Sequence, residues 1–396
     1  MTKALINGKM ITWGRNRSDV TPDALAKKLG NMPVERLLQW EQGEDRPTLA
    51  QAQTIATALH IPLGYLFLST PPQELEDTPD LRTVRNESRT EFSPAFIETY
   101  QSVLLRQQWF RDFRLQEGYP ELPFVGQFNP HSRVEAVVRS MTDLLDVDAL
   151  RKQADSKAKF ANLLVEQAES LGILVFRNGM VGRNTRRSLS VEEFRGFAIY
   201  DTYAPAIFVN TKDAKSAQVF SILHELAHLW IGEGGVSNYD LSTTTGKAQA
   251  VETLCNRIAA EVLVPAAVIQ AQWNKDMPAT DNVQKISSHC KVSRLVTIIR
   301  AQDRQLVSED EFRQLYAAEM KYDKQQCDKL KESDGGPASN LMLSLQNGKL
   351  FSRALLSQLY EGKVLYRDAA RLLGIKTLDS IDKYYQYLTG QGNKAA

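Results

Sequence analysis

With 396 residues, the chain is long enough for two or three domains and a substantial core. Its 43% hydrophobic and 24% charged residues are typical of a soluble globular protein, and a formal net charge of +1 gives no argument for a polyanionic or membrane partner. The first residues lack the long apolar run of a signal peptide, and no stretch approaches transmembrane length. Three widely spaced cysteines indicate neither a disulfide framework nor a CxxC metal site. We therefore expect a cytoplasmic protein without a membrane partner.

Residues 1–70 predict a domain of five short helices, because apolar residues recur there at three- and four-residue spacing. Thr21 is the expected N-cap of the second helix, since a proline follows it directly. Gly30 marks a turn, Pro33 restarts a helix and Gly43 ends it. Two helices joined by a tight turn that contains glycine form a helix-turn-helix.

The segment from about residue 10 to residue 70 resembles the phage-repressor (XRE-type) DNA-binding domain. The matching stretches are Trp40-Glu41-Gln42-Gly43, Arg46-Pro47-Thr48 and Ile61-Pro62-Leu63. In that fold the second helix of the pair enters the major groove. The resemblance therefore implies double-stranded DNA as a partner of this domain.

The second helix of the pair offers four exposed candidates for DNA contact, namely Val34, Glu35, Arg36 and Gln39. Arg36 and Gln39 are the expected nucleic-acid-binding residues, because arginine pairs with guanine and glutamine with adenine. Glu35 would repel phosphate, and basic and acidic residues nearly balance over residues 1–90. A small helical bundle that contacts proteins stays open as an alternative.

Residues 71–155 are expected to hold a linker followed by helices. The stretch 69–82 is rich in proline and acidic residues, as linkers are. Residues 92–115 have a helical pattern with an aromatic stripe, which we expect to pack in a core rather than to stack on nucleic acid.

Three short apolar runs after residue 170 predict a small sheet, since they are rich in β-forming residues. They are LGILVF, FRGFAIYD and AIFVN, at residues 171–176, 194–201 and 206–210. The glycine- and threonine-rich residues 232–246 predict a long loop beyond the helix that follows the sheet.

That helix contains the motif HExxH as His224, Glu225 and His228. Residues four apart lie on one helical face, so the two imidazoles can bind one metal ion together. The surrounding segment 220–230 is apolar on nearly every side, which is typical of a buried helix. Two histidines and a glutamate inside it need partners, and a metal would supply one. Histidines satisfied within the core are the alternative.

A catalytic zinc needs a third protein ligand. Position 234 is glycine, which excludes the long metzincin pattern, and His289 lies some sixty residues from the motif. Glu252 and Glu261 share the next helix, but nine residues place them on opposite faces. We expect Glu252 to be the ligand, because Asn256 on the same face can orient the site as a second-shell residue. Glu261 is then an exposed or ion-paired carboxylate.

HELAH, followed by Glu252-Thr253-Leu254-Cys255-Asn256 and Ala259-Ala260-Glu261-Val262-Leu263-Val264-Pro265, resembles the ImmA/IrrE family of metallo-endopeptidases. The resemblance implies that zinc is bound by both histidines and Glu252, and that Glu225 is the catalytic base. Cys255 replaces the alanine that is usual in the family. The family often carries an XRE-type domain ahead of the peptidase and cleaves a partner protein, commonly a helix-turn-helix repressor.

We therefore expect an α+β, mostly helical protein. The expected parts are a five-helix helix-turn-helix domain (1–70), a linker and helical region (71–155), a zincin-like peptidase domain with a small sheet (156–285) and a helical domain (286–396). Zn²⁺ is the expected cofactor, and a homodimer stays open. The residue that would stabilise the oxyanion stays open among Tyr200, Tyr203, Tyr239 and Arg195. The alternatives are a DNA-binding regulator with a latent peptidase domain and an antitoxin-like binding protein.

Overall fold

The computed structural model describes residues 3–18, 20–72, 92–237, 246–331 and 339–390. They form two compact units, the first of which contains residues 3–72 and 92–98 of the described chain. The remaining described residues belong to the second unit. The fold is mostly helical with one small sheet, so the predicted α+β class is confirmed. The boundaries predicted near residues 155 and 285 stay predictions, and most of the predicted linker lies outside the described residues.

The first unit is the predicted five-helix domain. Its elements are α1 (Gly8–Arg17), α2 (Pro22–Lys28), α3 (Val34–Gln42), α4 (Leu49–Ala58) and a 3-10 helix (Leu63–Phe67). The Thr21 hydroxyl accepts a hydrogen bond from the Ala24 amide and so caps α2 as predicted. Gly43 ends α3 with a left-handed φ of 78°. Pro33 begins α3 without a side-chain cap.

The core of this first unit is formed by residues at helical spacing. They are fully or almost fully buried and come from all four α-helices: Met10, Ile11, Leu25, Ala26, Leu37, Trp40, Ala52, Ile55 and Ala56. The apolar periodicity of the sequence predicts most of this core, because each helix buries one face, but Leu38 of α3 recurs at the same spacing and is exposed.

The second unit contains a four-stranded sheet in the order β1-β3-β2-β4. The strands are β1 (Leu174–Asn178), β2 (Gly196–Ile199), β3 (Ala206–Asn210) and β4 (Gly235–Ser237). β1 and β3 are parallel, whereas β2 is antiparallel to both β3 and β4. The three predicted strands are confirmed. β4 is new, because its three residues lie in the stretch where the sequence predicts a loop.

The rest of the second unit is helical, and only some of its helices pack directly against the sheet. Its helices are α5 (Pro94–Gln116, which begins in the first unit), α6 (Val134–Leu145), α7 (Val147–Gln153), α8 (Lys157–Ser170), α9 (Lys215–Trp230), α10 (Gly246–Leu263), α11 (Ala266–Gln272), α12 (Ala279–Cys290), α13 (Arg294–Asp303), α14 (Glu309–Lys331), α15 (Ser339–Asn347), α16 (Lys349–Tyr360), α17 (Tyr366–Leu373) and α18 (Leu378–Thr389). α9 packs against β2, β3, α8 and α10, which places it at the centre of the unit.

Successive side chains of β2 point to opposite faces of the sheet, and this alternation determines which of them contact α9. Phe197 stacks on Phe208 of β3, with ring centroids 5.0 Å apart, on one face of the sheet. Gly196 and Ala198 point to the opposite face, because successive side chains alternate. That face lies against α9, and its two small residues let the helix approach the strand closely.

No single helix among the described residues is both long and apolar enough to cross a membrane. One bent pair of helical segments, Gln249–Leu263 and Ala266–Gln272, reaches the required length and composition only when both are taken together.

Candidate metal centre

α9 carries the HExxH motif through the middle of the second unit. Its apolar residues are buried on every side of the helix, as the sequence predicts: Val219, Ile222, Leu223, Leu226, Ala227, Leu229 and Trp230. His224, Glu225 and His228 are each at most 2% exposed. The helix ends at Trp230, and Gly232 follows with a left-handed φ of 70°. Three ionisable groups therefore lie in an apolar interior, where they are costly unless they are partnered.

α10 brings a carboxylate to the two imidazoles. Glu252 is 8% exposed. One of its oxygens lies 3.1 Å from His224 Nε2 and the other lies 3.3 Å from His228 Nε2. The two Nε2 atoms are 3.1 Å apart. The structure thus brings together the three residues for which the sequence predicts metal binding.

This donor set fits a metal ion. The ligand atoms of His224, His228 and Glu252 all lie within 4.8 Å of one another. Donors about 2.0–2.1 Å from a tetrahedral zinc lie roughly 3.3 Å from each other, close to the separations observed here. Two imidazoles and one carboxylate, all buried, can therefore hold a divalent cation.

The outer nitrogen of His228 is held by the backbone. His228 Nδ1 donates a hydrogen bond to the carbonyl oxygen of Glu233, 3.1 Å away. This bond keeps the proton on Nδ1 and leaves Nε2 facing Glu252, which is the arrangement usual for metal-binding histidines. The Asn256 side chain, one turn beyond Glu252, interacts with His224. Its role as a second-shell residue stays a prediction.

The charges of the cluster depend on one another. Burial lowers the pKa of His224, against the opposing effect of Glu252. Burial also disfavours the charged form of His228, but the neighbouring Glu252 carboxylate outweighs it and raises the His228 pKa well above its ordinary value. Burial raises the pKa of Glu252, yet the two imidazoles hold it well below its ordinary range. A carboxylate thus stabilises positive charge between buried groups, as a cation site requires.

Glu225 is buried against the sheet. A Cβ atom on Gly196 of β2 would stand 2.9 Å from the Glu225 carboxyl carbon and 2.8 Å from the Phe208 carbonyl oxygen, closer than real Cβ contacts. Only glycine leaves room at this point for the Glu225 carboxylate. Sequence reasoning missed this role, although a glycine inside a strand is a signal of close approach.

The other predicted candidates for the metal site lie elsewhere. Glu261 accepts a hydrogen bond from the Ala266 amide and forms ion pairs with Arg300 and Arg304. Glu261 is therefore ion-paired, as the sequence predicts for a carboxylate on this helix that does not bind the metal. His289 is exposed on α12 and is not part of the metal cluster.

The residues predicted as candidates for stabilising the oxyanion have different neighbours and different exposure. Arg195 forms an ion pair with Asp213 at 2.7 Å. Tyr203 lies beside Arg111, whose guanidinium carbon is 5.9 Å from the ring centroid. Tyr200 is 38% exposed. Tyr239 lies outside the described residues, so the choice among the four stays open.

The predicted DNA-contacting residues lie on α3 of the first unit. Arg36 and Gln39 are exposed, whereas Val34 is half-buried. The Arg36 guanidinium carbon lies 5.4 Å from the centroid of the Trp40 ring, so this side chain lies along its own helix. The structure leaves both residues accessible, and their role in DNA binding stays a prediction.

Protein-family models match three stretches of the chain, one of which contains the metal cluster. Residues 168–302 match the model of the IrrE N-terminal-like domain, Peptidase M78. This stretch contains His224, Glu225, His228 and Glu252. The family resemblance that the sequence motifs indicate is confirmed.

Two further models match outside the IrrE-like domain. Residues 13–66 match a helix-turn-helix model, which confirms the nature of the first unit. Residues 347–387 match a model described as a domain of unknown function. No curated protein matches the chain. The chain is therefore a fusion of a helix-turn-helix domain, an IrrE-like domain and a C-terminal helical segment.

Proposed function

We propose that the IrrE-like domain is a zinc-dependent endopeptidase that cleaves a partner regulatory protein, a transcriptional repressor, and so controls gene expression. The observation that carries this proposal is the buried group of His224, His228 and Glu252, whose donor atoms lie 3.1–3.3 Å apart. The base expected from the motif, Glu225, lies on the same helix. The match to a peptidase family supports the same chemistry.

His224 Nε2, His228 Nε2 and a Glu252 oxygen are the proposed zinc ligands. Zinc, when bound, acts as a Lewis acid that polarises a peptide carbonyl and lowers the pKa of water. The choice of zinc rests on the mixed imidazole and carboxylate donor set. The hydrogen bond from His228 to the Glu233 carbonyl fixes one imidazole before any ligand arrives.

Glu225 is the proposed proton carrier. Its carboxylate takes a proton from the attacking water and then donates it to the leaving amide nitrogen of the substrate. The close fit over Gly196 keeps this carboxylate from rotating away, and burial excludes bulk water from it. Such fixed positioning is what general base catalysis needs, because misplacement by about 1 Å costs roughly a hundredfold in rate.

β4 gives the proposed substrate a place to bind. It is an edge strand of the described sheet, pairing with β2 on one side. An ideal Cβ on Gly235 of β4 would lie 4.0 Å from His228 Cε1, so this edge runs past the cluster. An extended peptide can pair with such an edge through main-chain hydrogen bonds. The substrate segment is therefore proposed to be extended when it is cut.

The helix-turn-helix domain supports a regulatory substrate. A domain of this kind binds duplex DNA through its second helix, and Arg36 and Gln39 are the proposed base contacts on α3. Because this domain would bring the chain to DNA, a peptidase on the same chain would act close to other DNA-bound regulators of transcription. A repressor encoded beside the gene is the substrate we propose.

The proposal is tested with Glu225→Gln and His228→Ala. We expect Glu225→Gln to keep its zinc and to lose cleavage of the neighbouring repressor, because it removes only the base. His228→Ala should lose both. Zinc is measured by elemental analysis and cleavage by mass spectrometry of the products. Thr253→Ala, an exposed change on α10, is the control.

If Glu225→Gln cleaved the repressor as fast as the unsubstituted chain, Glu225 would not be the catalytic base. A purified chain that binds DNA and zinc but cleaves no neighbouring regulator would instead be a DNA-binding regulator with a latent peptidase domain. The match of residues 13–66 to a helix-turn-helix model is the observation that favours this second candidate function.

A further inference from the structure

The C-terminal helices repeat the spacing of the helix-turn-helix in the first unit. α2 is followed by Gly30 with a φ of 87°, and α17 is followed by Gly374 with a φ of 66°. Three residues after each glycine stands the N-cap of the next helix, Pro33 for α3 and Thr377 for α18. Both turns thus have a left-handed glycine at the same distance from the next helix.

The buried positions coincide as well. Five residues before the glycine stand Leu25 and Ala369, and both are fully buried. Seven and ten residues after it stand Leu37 and Trp40 in α3, and Ile381 and Tyr384 in α18, none more than 2% exposed. The two helix pairs therefore turn matching faces toward their cores, although the two segments share few identical residues.

A third helix completes the C-terminal arrangement. α16 packs against both α17 and α18, and it buries Phe351, Leu355 and Leu356. The opposite face of α18 is exposed along Asp379, Lys383 and Gln386, which recur at helical spacing. A second helix with a buried inner face and a polar outer face is the form that enters a DNA groove.

The charge on this segment favours a polyanion. Residues 349–390 contain seven lysines and arginines against four aspartates and glutamates. Arg367 and Arg371 lie four residues apart on α17, Lys376 lies in the turn, and all three are exposed. Arg367 also lies 3.6 Å from its neighbour Asp368, as a largely exposed pair of little energetic weight.

The carboxylates of α18 are already engaged within the protein. Lys383 Nζ lies 2.7 Å from Asp379, and the Tyr360 hydroxyl donates to Asp382 at 2.5 Å. These contacts reduce the repulsion that the two carboxylates would exert on phosphate. In a helix-turn-helix the first helix and the turn lie against the DNA backbone, which is where this segment carries its exposed cations.

We propose that α17, the turn at Gly374 and α18 form a second helix-turn-helix that binds duplex DNA. Arg371 and Lys376 contact phosphates, and α18 lies in the major groove. This inference assigns a ligand to the segment that matches a domain of unknown function. It is independent of the proposed peptidase activity and of the contacts proposed for α3.

The test is carried out with the full chain in which Arg36→Ala and Gln39→Ala weaken the first motif. Binding to a labelled duplex of mixed sequence is measured by fluorescence anisotropy over a salt series. Adding Arg371→Glu and Lys376→Glu should lower the remaining affinity roughly tenfold and reduce the slope of log affinity against log salt by about 0.9 for each phosphate that is no longer neutralised. Adding Lys275→Glu and Lys285→Glu instead, at two exposed positions, is the charge-matched control.

Three outcomes would overturn the proposal. One is an affinity and salt slope equal to those of the control with Lys275→Glu and Lys285→Glu. Another is complete loss of DNA binding in the Arg36→Ala and Gln39→Ala chain alone. The third is unchanged DNA binding with impaired cleavage of the repressor, which would make the surface a protein-docking site. Unchanged zinc content and thermal unfolding establish that the variants are folded.

Discussion

Gly196 of β2 lies against the side chain of Glu225 on α9. Its missing side chain leaves the space that the Glu225 carboxylate occupies. We expect Gly196→Ala to keep zinc, because it touches no proposed ligand, but to lower kcat for cleavage by about a hundredfold or more through misplacement of the base. Steady-state kinetics on the repressor, together with elemental analysis, measure both quantities.

Gly64→Ala, in the first unit, is the control for a glycine-to-alanine change outside the proposed peptidase domain. A Cβ there would meet nothing within 4 Å, so activity should stay within about a factor of two. An effect of Gly196→Ala on KM alone, with kcat unchanged, would contradict the positioning role. Loss of zinc from Gly196→Ala would do so too, because the damage would then extend to the ligands.

Residue spacing could predict the metal cluster but not its surroundings. Four-residue spacing on a helix places His224 and His228 together whatever the rest of the fold does. Helical geometry also separates Glu252 from Glu261, and the structure has these two carboxylates in different surroundings. The Glu233 carbonyl depends on the path of the chain just after α9, and Gly196 signals a close approach in a strand without showing that Glu225 is the group that approaches.

At the scale of elements, Glu261 joins α10 to α11 and α13. It accepts from the Ala266 amide at 2.8 Å and pairs with Arg304 at 2.8 Å and with Arg300. Burial opposes its charge, but these three partners lower its pKa below the ordinary value. A lowered carboxyl pKa stabilises the fold above the unfolded pKa, and this stability is lost as pH falls through the folded value.

Glu261→Gln should therefore reduce the free energy of unfolding by about 2 kcal/mol at neutral pH. The difference from the unsubstituted chain should begin to shrink as pH falls below about 4, where the glutamate of the unfolded chain is protonated, and should vanish as pH falls through the lower pKa of folded Glu261. Urea unfolding at several pH values measures it. Glu309→Gln, which removes a largely exposed pair with Arg313, should cost much less. Equal losses at neutral and acidic pH would show that charge is not the cause.

Elements with strong local signals could be predicted, and short ones could not. The N-caps at Thr21 and Thr48 follow from hydroxyl groups that accept hydrogen bonds from amides in the first turn. The helix ends near Gly43 and Gly232 follow from the left-handed φ that glycine adopts without strain. β4 has three residues and begins with glycine, so its pairing with β2 gives no local signal. The spacing that α17 and α18 share with α2 and α3 is not evident from the sequence for a related reason. The cap positions and buried positions of the two helix pairs coincide, but the residues at these positions differ.

At the scale of the molecule, the two units have separate cores: zinc is proposed to bind only the second unit, and duplex DNA is proposed to bind both. The core of the first unit is built from α1–α4, and that of the second surrounds α9. A ligand that binds only one folded unit stabilises that unit by mass action and leaves the other unchanged. Zinc is therefore expected to act on the unfolding transition of the second unit only, whereas duplex DNA is expected to act on both.

Zinc should raise the unfolding temperature of the second unit alone. At a free concentration a hundred times its Kd, zinc adds about 2.7 kcal/mol to the stability of the unit that binds it. Calorimetry of the full chain, with and without zinc, should show one transition that moves and one that does not. His228→Ala should abolish the shift, since it removes a proposed ligand, whereas Glu225→Gln should keep it. A shift that survives in His228→Ala would mean that zinc binds elsewhere on the chain.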